Sequence, residues 1–148
     1  MGSIIRELRH EDRSAWQPLW DGYNLFYERP DFSSEITAAT WARFFDPAEP
    51  VFAAVAELDG KLVGLVHYLF HRSTTVIEDV CYLQDLFTAP EARGKGIGKA
   101  LIEHVYDQAA KAGSRRVYWQ THEDNPARKL YDRVADVTPF RRYVKELA

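Results

Sequence analysis

Seven consecutive residues, Arg93-Gly94-Lys95-Gly96-Ile97-Gly98-Lys99, hold the densest chemistry in this 148-residue chain. Glycines let a backbone turn tightly and approach a ligand closely. Free N–H groups at the start of a helix attract an anion, and the helix macrodipole adds to the attraction. Arg93, Lys95 and Lys99 bring cations to the same loop. Together these features describe a phosphate or pyrophosphate cradle. It is not a Walker loop, because Ala100 follows Gly98-Lys99 where magnesium would need a hydroxyl. It is not a Rossmann fingerprint either. Counted from Gly94, the sixth position is Lys99, and the loop falls late in the chain.

The cradle needs a strand before it and a helix after it. Glu78 to Thr88, rich in Val, Tyr, Leu and Phe, reads as the strand. Ile97, Leu101 and Val105 recur four apart, Ala109 and Ala112 extend the stripe, and Gly113 closes the helix. Upstream, Ile4–Leu8 reads as a strand, and Asp12 as the cap of a helix carrying Trp16, Leu19, Trp20 and Tyr23. Ser33-Ser34 precede a second helix, Ile36 to Phe45. Val51–Leu58 and Lys61–Phe70 are strands joined at Asp59-Gly60, a two-residue hairpin signal. Downstream, Arg116–Thr121 reads as a strand, Asn125-Pro126 opens a helix through Val134, and Phe140–Val144 reads as a last strand. The order βααβββαβαβ predicts one mixed α/β (α+β) domain over residues 1–148.

Composition narrows the function. Hydrophobic residues are 46% and charged residues 28%, which is ordinary globular chemistry. The net charge of −3 is uneven. Residues 1–91 hold 7 Lys+Arg against 15 Asp+Glu, and residues 92–148 hold 12 against 7. That balance argues against a nucleic-acid surface. No stretch reaches the ~20 apolar residues that span a bilayer, and no secretory signal opens the chain. The expectation is a cytoplasmic protein with no membrane partner. Cys81 is the single cysteine, which excludes an intrachain disulfide and a cysteine zinc site. His67, His71, His104 and His122 lack metal-ligand spacing, so no metal is expected.

Arg93-x-x-Gly96-x-Gly98 resembles the acyl-CoA-binding motif of the GNAT N-acetyltransferase superfamily. Leu83–Thr88 looks like that family's central strand, and Ala127-Arg128-Lys129-Leu130-Tyr131 like its later helix. The likeness covers essentially the whole chain, and is strongest to the spermidine/spermine and fungal histone-and-polyamine acetyltransferases. The resemblance implies acetyl-CoA as acetyl donor, with CoA as product. It implies that backbone groups of Leu86, Phe87 and Thr88 meet the pantetheine arm. It also implies that the amides of Arg93, Gly94, Lys95, Gly96, Ile97, Gly98 and Lys99 hold the pyrophosphate. Tyr131 would protonate the departing thiolate, a role that suits a phenol of ordinary pKa about 10. The family's Asn, seven residues before the tyrosine, is replaced here by Asp124. Asn125, one residue late, either takes its CoA contact or that contact is missing.

The implied reaction is direct acetyl transfer to a primary amine, which must first lose a proton. Asp85 is the nearest candidate base, ahead of Glu78, Asp79 and Glu123. Polyamine-type relatives carry Glu where this chain has Gln84, and glutamine cannot act as a base. Strand alternation puts Gln84 and Asp85 on opposite faces. Gln84, Tyr27 and Glu28 are the expected acceptor-binding residues, since the junction of the first two helices serves the acceptor in the resembled group. The expected acceptor is a small cation: a polyamine, a diamine or an amino acid. A protein lysine or N-terminus is the alternative acceptor, and a non-catalytic acyl-CoA-binding module the alternative role. A homodimer is expected, with Phe140–Val144 as its surface.

Overall fold

The computed structural model describes residues 2–148. One sheet runs in the order β1-β2-β3-β4-β5, with β1 Ile4–Glu7, β2 Val51–Leu58, β3 Lys61–His71, β4 Val80–Thr88 and β5 Val117–Tyr118. Pairing is antiparallel through β4, and β5 joins in parallel. Helices α1 Arg13–Phe26 and α2 Ser34–Phe44 separate β1 from β2. α3, Ile97–Lys111, separates β4 from β5, and α4, Arg128–Val134, follows.

β2 is apolar at nearly every position because both of its faces are covered. Ala53 and Val55 pack with Trp16, Leu19, Trp20 and Tyr23 of α1. Ala54 and Ala56 pack with Ile97, Leu101, Ile102 and Val105 of α3. Asp59 and Gly60 both have positive φ, 53° and 79°, as a tight hairpin turn requires. Gly64 lets α3 lie close to the sheet. A Cβ there would stand 3.0 Å from Ile97 Cγ2 and 3.1 Å from Leu101 Cδ1.

Ser33 caps α2 by accepting from the Ile36 N–H at 3.2 Å. Asp12 occupies the N-cap position of α1 but is used otherwise. Its carboxylate takes a bidentate fork from Arg6 at 2.8 and 2.9 Å, plus the Arg9 N–H at 2.7 Å. Arg6 also donates to Glu57 at 2.6 Å, so one guanidinium ties β1 and β2 to the start of α1.

Two expectations are corrected. The strand expected over 116–121 shrinks to Val117–Tyr118. The last strand, Phe140–Val144, does not form, so the order ends at α4. A strand needs a neighbouring edge, and this segment packs on none. Phe140 and Tyr143 are 89% and 94% exposed.

Candidate active site

β4 and β5 pair only at Cys81–Val117 and Tyr82–Tyr118. From Leu83 to Thr88, β4 has β3 on one side and an open edge on the other. Ala89 donates its N–H to Val63 O at 2.8 Å. Antiparallel alternation then turns Phe87 toward β3 and turns Leu86 and Thr88 toward the open edge. The backbone N–H and C=O of Phe87 are therefore turned to β3, and those of Leu86 and Thr88 lie along the open edge. The Phe87 ring packs instead over Gly22 of α1, where a Cβ would stand 2.7 Å from Cζ.

β3 and β4 slip register between His67 and Tyr68, leaving Gln84 as an extra residue in β4. A bulge resets which face each side chain takes. Leu83 belongs to the α3 layer before it. After it, Asp85 meets His67 and Phe87 packs among the α1 residues, while Leu86 returns to the α3 layer. Without the bulge, Asp85 would share the face of Leu83. Gln84 itself is exposed and forms no side-chain hydrogen bond among the described residues.

Asp85 Oδ2 lies 2.9 Å from His67 Nδ1, and Trp16 Nε1–H donates to His67 Nε2 at 3.1 Å. An indole N–H can only donate, so Nε2 must accept. The ring proton therefore sits on Nδ1 and is donated to Asp85. His67 is 4% exposed, against Trp20 and Phe44 at ring distances of 5.2 and 4.6 Å. Trp16 itself is fully buried.

Tyr23 and Tyr27 face the same carboxylate from α1. Burial first, then the Asp85 charge, raises both phenols above the ordinary range. Their rings lie 4.9 Å apart. Tyr131 enters from α4, its ring edge-on to Trp119 at 5.5 Å. Burial pushes its phenol up to about 12, with a smaller contribution from nearby Tyr27. Asp85, Tyr23 and Tyr27 thus lie together near the open edge of β4, and Tyr131 approaches Tyr27 from α4. α4 is held there by Tyr106, whose hydroxyl donates to Val134 O at 2.7 Å.

The glycine loop leads into α3. Gly94 and Gly96 both have φ of 78°, and a Cβ on either would meet open space. The first helical bond in the loop runs from Ala100 N–H to Gly96 O at 3.0 Å. Among the described residues, the N–H groups of 94–99 find no protein acceptor. Six consecutive free donors at a helix start make a preformed anion site. Lys95 and Lys99 are exposed beside it. Arg93 turns away, donating to Thr88 O at 3.1 Å and lying 5.7 Å from the Phe87 ring centroid. A Cβ on Gly98 would stand 3.3 Å from Leu130 Cδ2, a tight approach. That approach brings α4 against the start of α3.

Asn125 is occupied locally. Its Nδ2 donates to Thr121 Oγ1 at 2.8 Å, and its Oδ1 accepts from Ala127 N–H at 2.9 Å. Glu28 is exposed, at φ 59°. An apolar groove of about 570 Å³, lined by residues including Pro18, Leu25, Phe87 and Pro90, contains neither Asp85 nor Tyr131. Sequence reasoning missed His67 and Trp16, whose roles depend on strand register. It weighed His67 only as a metal partner for His71, which instead meets the Tyr118 hydroxyl at 2.7 Å.

The Acetyltransferase (GNAT) family matches the chain over residues 5–135. A D-amino-acid N-acetyltransferase of Saccharomyces cerevisiae is 36% identical over 135 residues, 89% of this chain and 83% of that protein. An L-2,4-diaminobutyric acid acetyltransferase of Nocardia farcinica is 34% identical over 98 residues, 66% of this chain and 47% of that protein. A ribosomal-protein-alanine N-acetyltransferase from Brucella melitensis has the same fold, with a TM-score of 0.82, 24% identity and 99% and 100% coverage of the two chains. So does AAC(6')-Iy in complex with the bisubstrate analogue CoA-S-monomethyl-acetylneamine, with a TM-score of 0.84, 17% identity and full coverage of both chains.

Proposed function

The chain belongs to the Acetyltransferase (GNAT) family of acetyl-CoA-dependent N-acetyltransferases, and we propose that its acceptor is a small primary amine received by Asp85. The observation that carries this reading is the largely buried Asp85 carboxylate, beside Tyr23 and Tyr27 and braced by His67. Such a setting suits an alkylammonium, through the carboxylate and the ring faces together. The names of the yeast and Nocardia relatives describe acetylation of small amino compounds, which supports the reading.

The loop fits the polyanionic end of acetyl-CoA, since the free amides of 94–99 are matched by exposed Lys95 and Lys99. The backbone groups of Leu86 and Thr88 at the open edge fit an amide-bearing arm laid beside β4. Acetyl-CoA supplies a thioester carbon as electrophile.

Asp85 takes a proton from the ammonium, whose ordinary pKa is about 10.4, so that a neutral amine can attack. The new N–C bond forms as the C–S bond breaks. Tyr131 gives its proton to the leaving sulfur, and the second amine proton restores the phenol. The buried phenol stays protonated at working pH. Burial that raises the phenol also raises a thiolate beside it, which narrows the gap between donor and acceptor. Positioned proton transfer of this kind contributes about 10²–10⁴-fold.

The test is thiol release from acetyl-CoA with small amines, comparing wild type with Asp85→Asn. Wild type should turn over and the variant should lose about 10²–10⁴-fold. An equally active variant would remove Asp85 from the chemistry. The proposed homodimer rests on the exposed tail, where Phe140, Tyr143 and Leu147 lack partners among the described residues. A monomer by light scattering would refute it.

A further inference from the structure

α1 closes with two reverse hydrogen bonds, Arg29 N–H to Asn24 O at 2.9 Å and Glu28 N–H to Leu25 O at 2.9 Å. This is a Schellman cap, whose left-handed position is usually glycine. Here Glu28 holds it at φ 59°, and Asp31 follows at φ 57°. Strained positions of this kind persist where the surroundings over-determine them, and they cluster at ligand sites. What the turn positions is Arg29.

The Arg29 side chain is held from two directions. Nη1 donates to Asn24 Oδ1 at 3.1 Å, and the guanidinium carbon lies 5.4 Å from the Tyr27 ring centroid. Asn24 is 1% exposed, and its own amide donates to Trp20 O at 3.0 Å. That bond aims Oδ1 at the arginine. Among the described residues Arg29 forms no ion pair. The rest of its donor fork is open to a ligand.

Arg29 also borders the acceptor cleft. Its guanidinium lies over the Tyr27 ring, which in turn lies 4.9 Å from the Tyr23 ring. Arg29 and Asp85 therefore stand by the same pair of tyrosines.

We infer that Arg29 is a carboxylate receptor in the acceptor site, so that the acceptor is an amino acid with its amine toward Asp85 and its carboxylate on Arg29. The inference rests on the small-amine reading above and selects within it. An arginine fork matches a carboxylate with two parallel hydrogen bonds. A polyamine would set a second ammonium against the guanidinium, a like-charge contact that disfavours it.

The test compares matched acceptors that differ only in the carboxylate: 2,4-diaminobutyrate with 1,3-diaminopropane, lysine with cadaverine, and each enantiomer of alanine with ethylamine. Initial rates of thiol release give kcat and KM for each. The wild-type enzyme should prefer at least one amino acid over its decarboxylated partner by on the order of 10- to 100-fold in kcat/KM. In Arg29→Gln that preference should collapse toward unity, mainly through a raised KM, and Arg29→Lys should restore part of it. Melting curves confirm that both variants are folded. Equal use of the two members of every pair by wild type overturns the inference and leaves the small-amine reading standing. So does an Arg29→Gln loss shared by both members, which would make Arg29 only a brace for Tyr27. Failure of every acceptor, with acetyl-CoA binding intact, overturns the small-amine reading and this inference with it.

Discussion

His67 and Asp85 form a fixed pair, Nδ1 to Oδ2 at 2.9 Å, across the β3–β4 ladder. Trp16 decides its polarity by filling Nε2 with an indole proton. Nitrogen NMR should therefore report one neutral His67 tautomer, protonated on Nδ1. Trp16→Phe removes the donor and leaves a buried acceptor unpaired, at a cost of about 1–3 kcal/mol in stability. An Nε2-protonated ring in the native protein would contradict the assignment.

The pH profile reads Tyr131. Its active form is protonated, and burial pushes it up to about 12, so the phenol does not ionise over the accessible alkaline range. Activity should hold as pH rises toward 10, because the acceptor, of ordinary pKa about 10.4, still arrives as the ammonium that Asp85 deprotonates. No descending limb should appear below about pH 10, where an ordinary phenol is half ionised. Tyr131→Phe should lower kcat by about 10²–10⁴-fold.

Cys81 is fully buried, and burial pushes its thiol from 9.0 up to about 12. The thiolate is the reactive species, so the native thiol should be inert. A chromogenic disulfide should find no thiol in the folded enzyme and one per chain in denaturant. The linkage sign follows from the raised value. Folding favours the protonated thiol, and that contribution is complete below pH 9 and is lost as pH rises toward 12. The melting temperature should fall across that window.

Two glycines separate packing from backbone freedom. Gly22→Ala drives a Cβ to within 2.7 Å of the Phe87 ring. Overpacking of that kind costs about 1–3 kcal/mol, which calorimetry would register as a lowered melting temperature. At Gly96 a Cβ meets open space, but φ is 78°. Gly96→Ala should cost about 1–2 kcal/mol of local strain. It should appear as a raised KM for acetyl-CoA more than for the acceptor.

The cradle was legible because glycine and lysine spacing states a backbone requirement directly, and Gly94 and Gly96 do adopt positive φ. Asp59-Gly60 was legible for the same reason. Asp85 was found by its place in the motif strand, but not its face. The bulge at Gln84 sets that face, and a bulge arises from pairing between strands rather than from local composition. His67 was hidden because its partners lie 18 and 51 residues away. Glu28 was singled out and Arg29 was not, because a left-handed glutamate breaks the glycine rule for helix ends and hides the turn that positions Arg29. Phe140–Val144 has the residues of a strand and no edge to join.

The central claim is that this enzyme acetylates a small primary amine at Asp85. The most direct measurement is an initial-rate screen of thiol release from acetyl-CoA across polyamines, diamines, L- and D-amino acids and lysine-bearing peptides. Turnover of a free small amine, lost in Asp85→Asn, is the predicted result. Turnover confined to the peptides, or none of the small amines accepted while acetyl-CoA still binds, would contradict it.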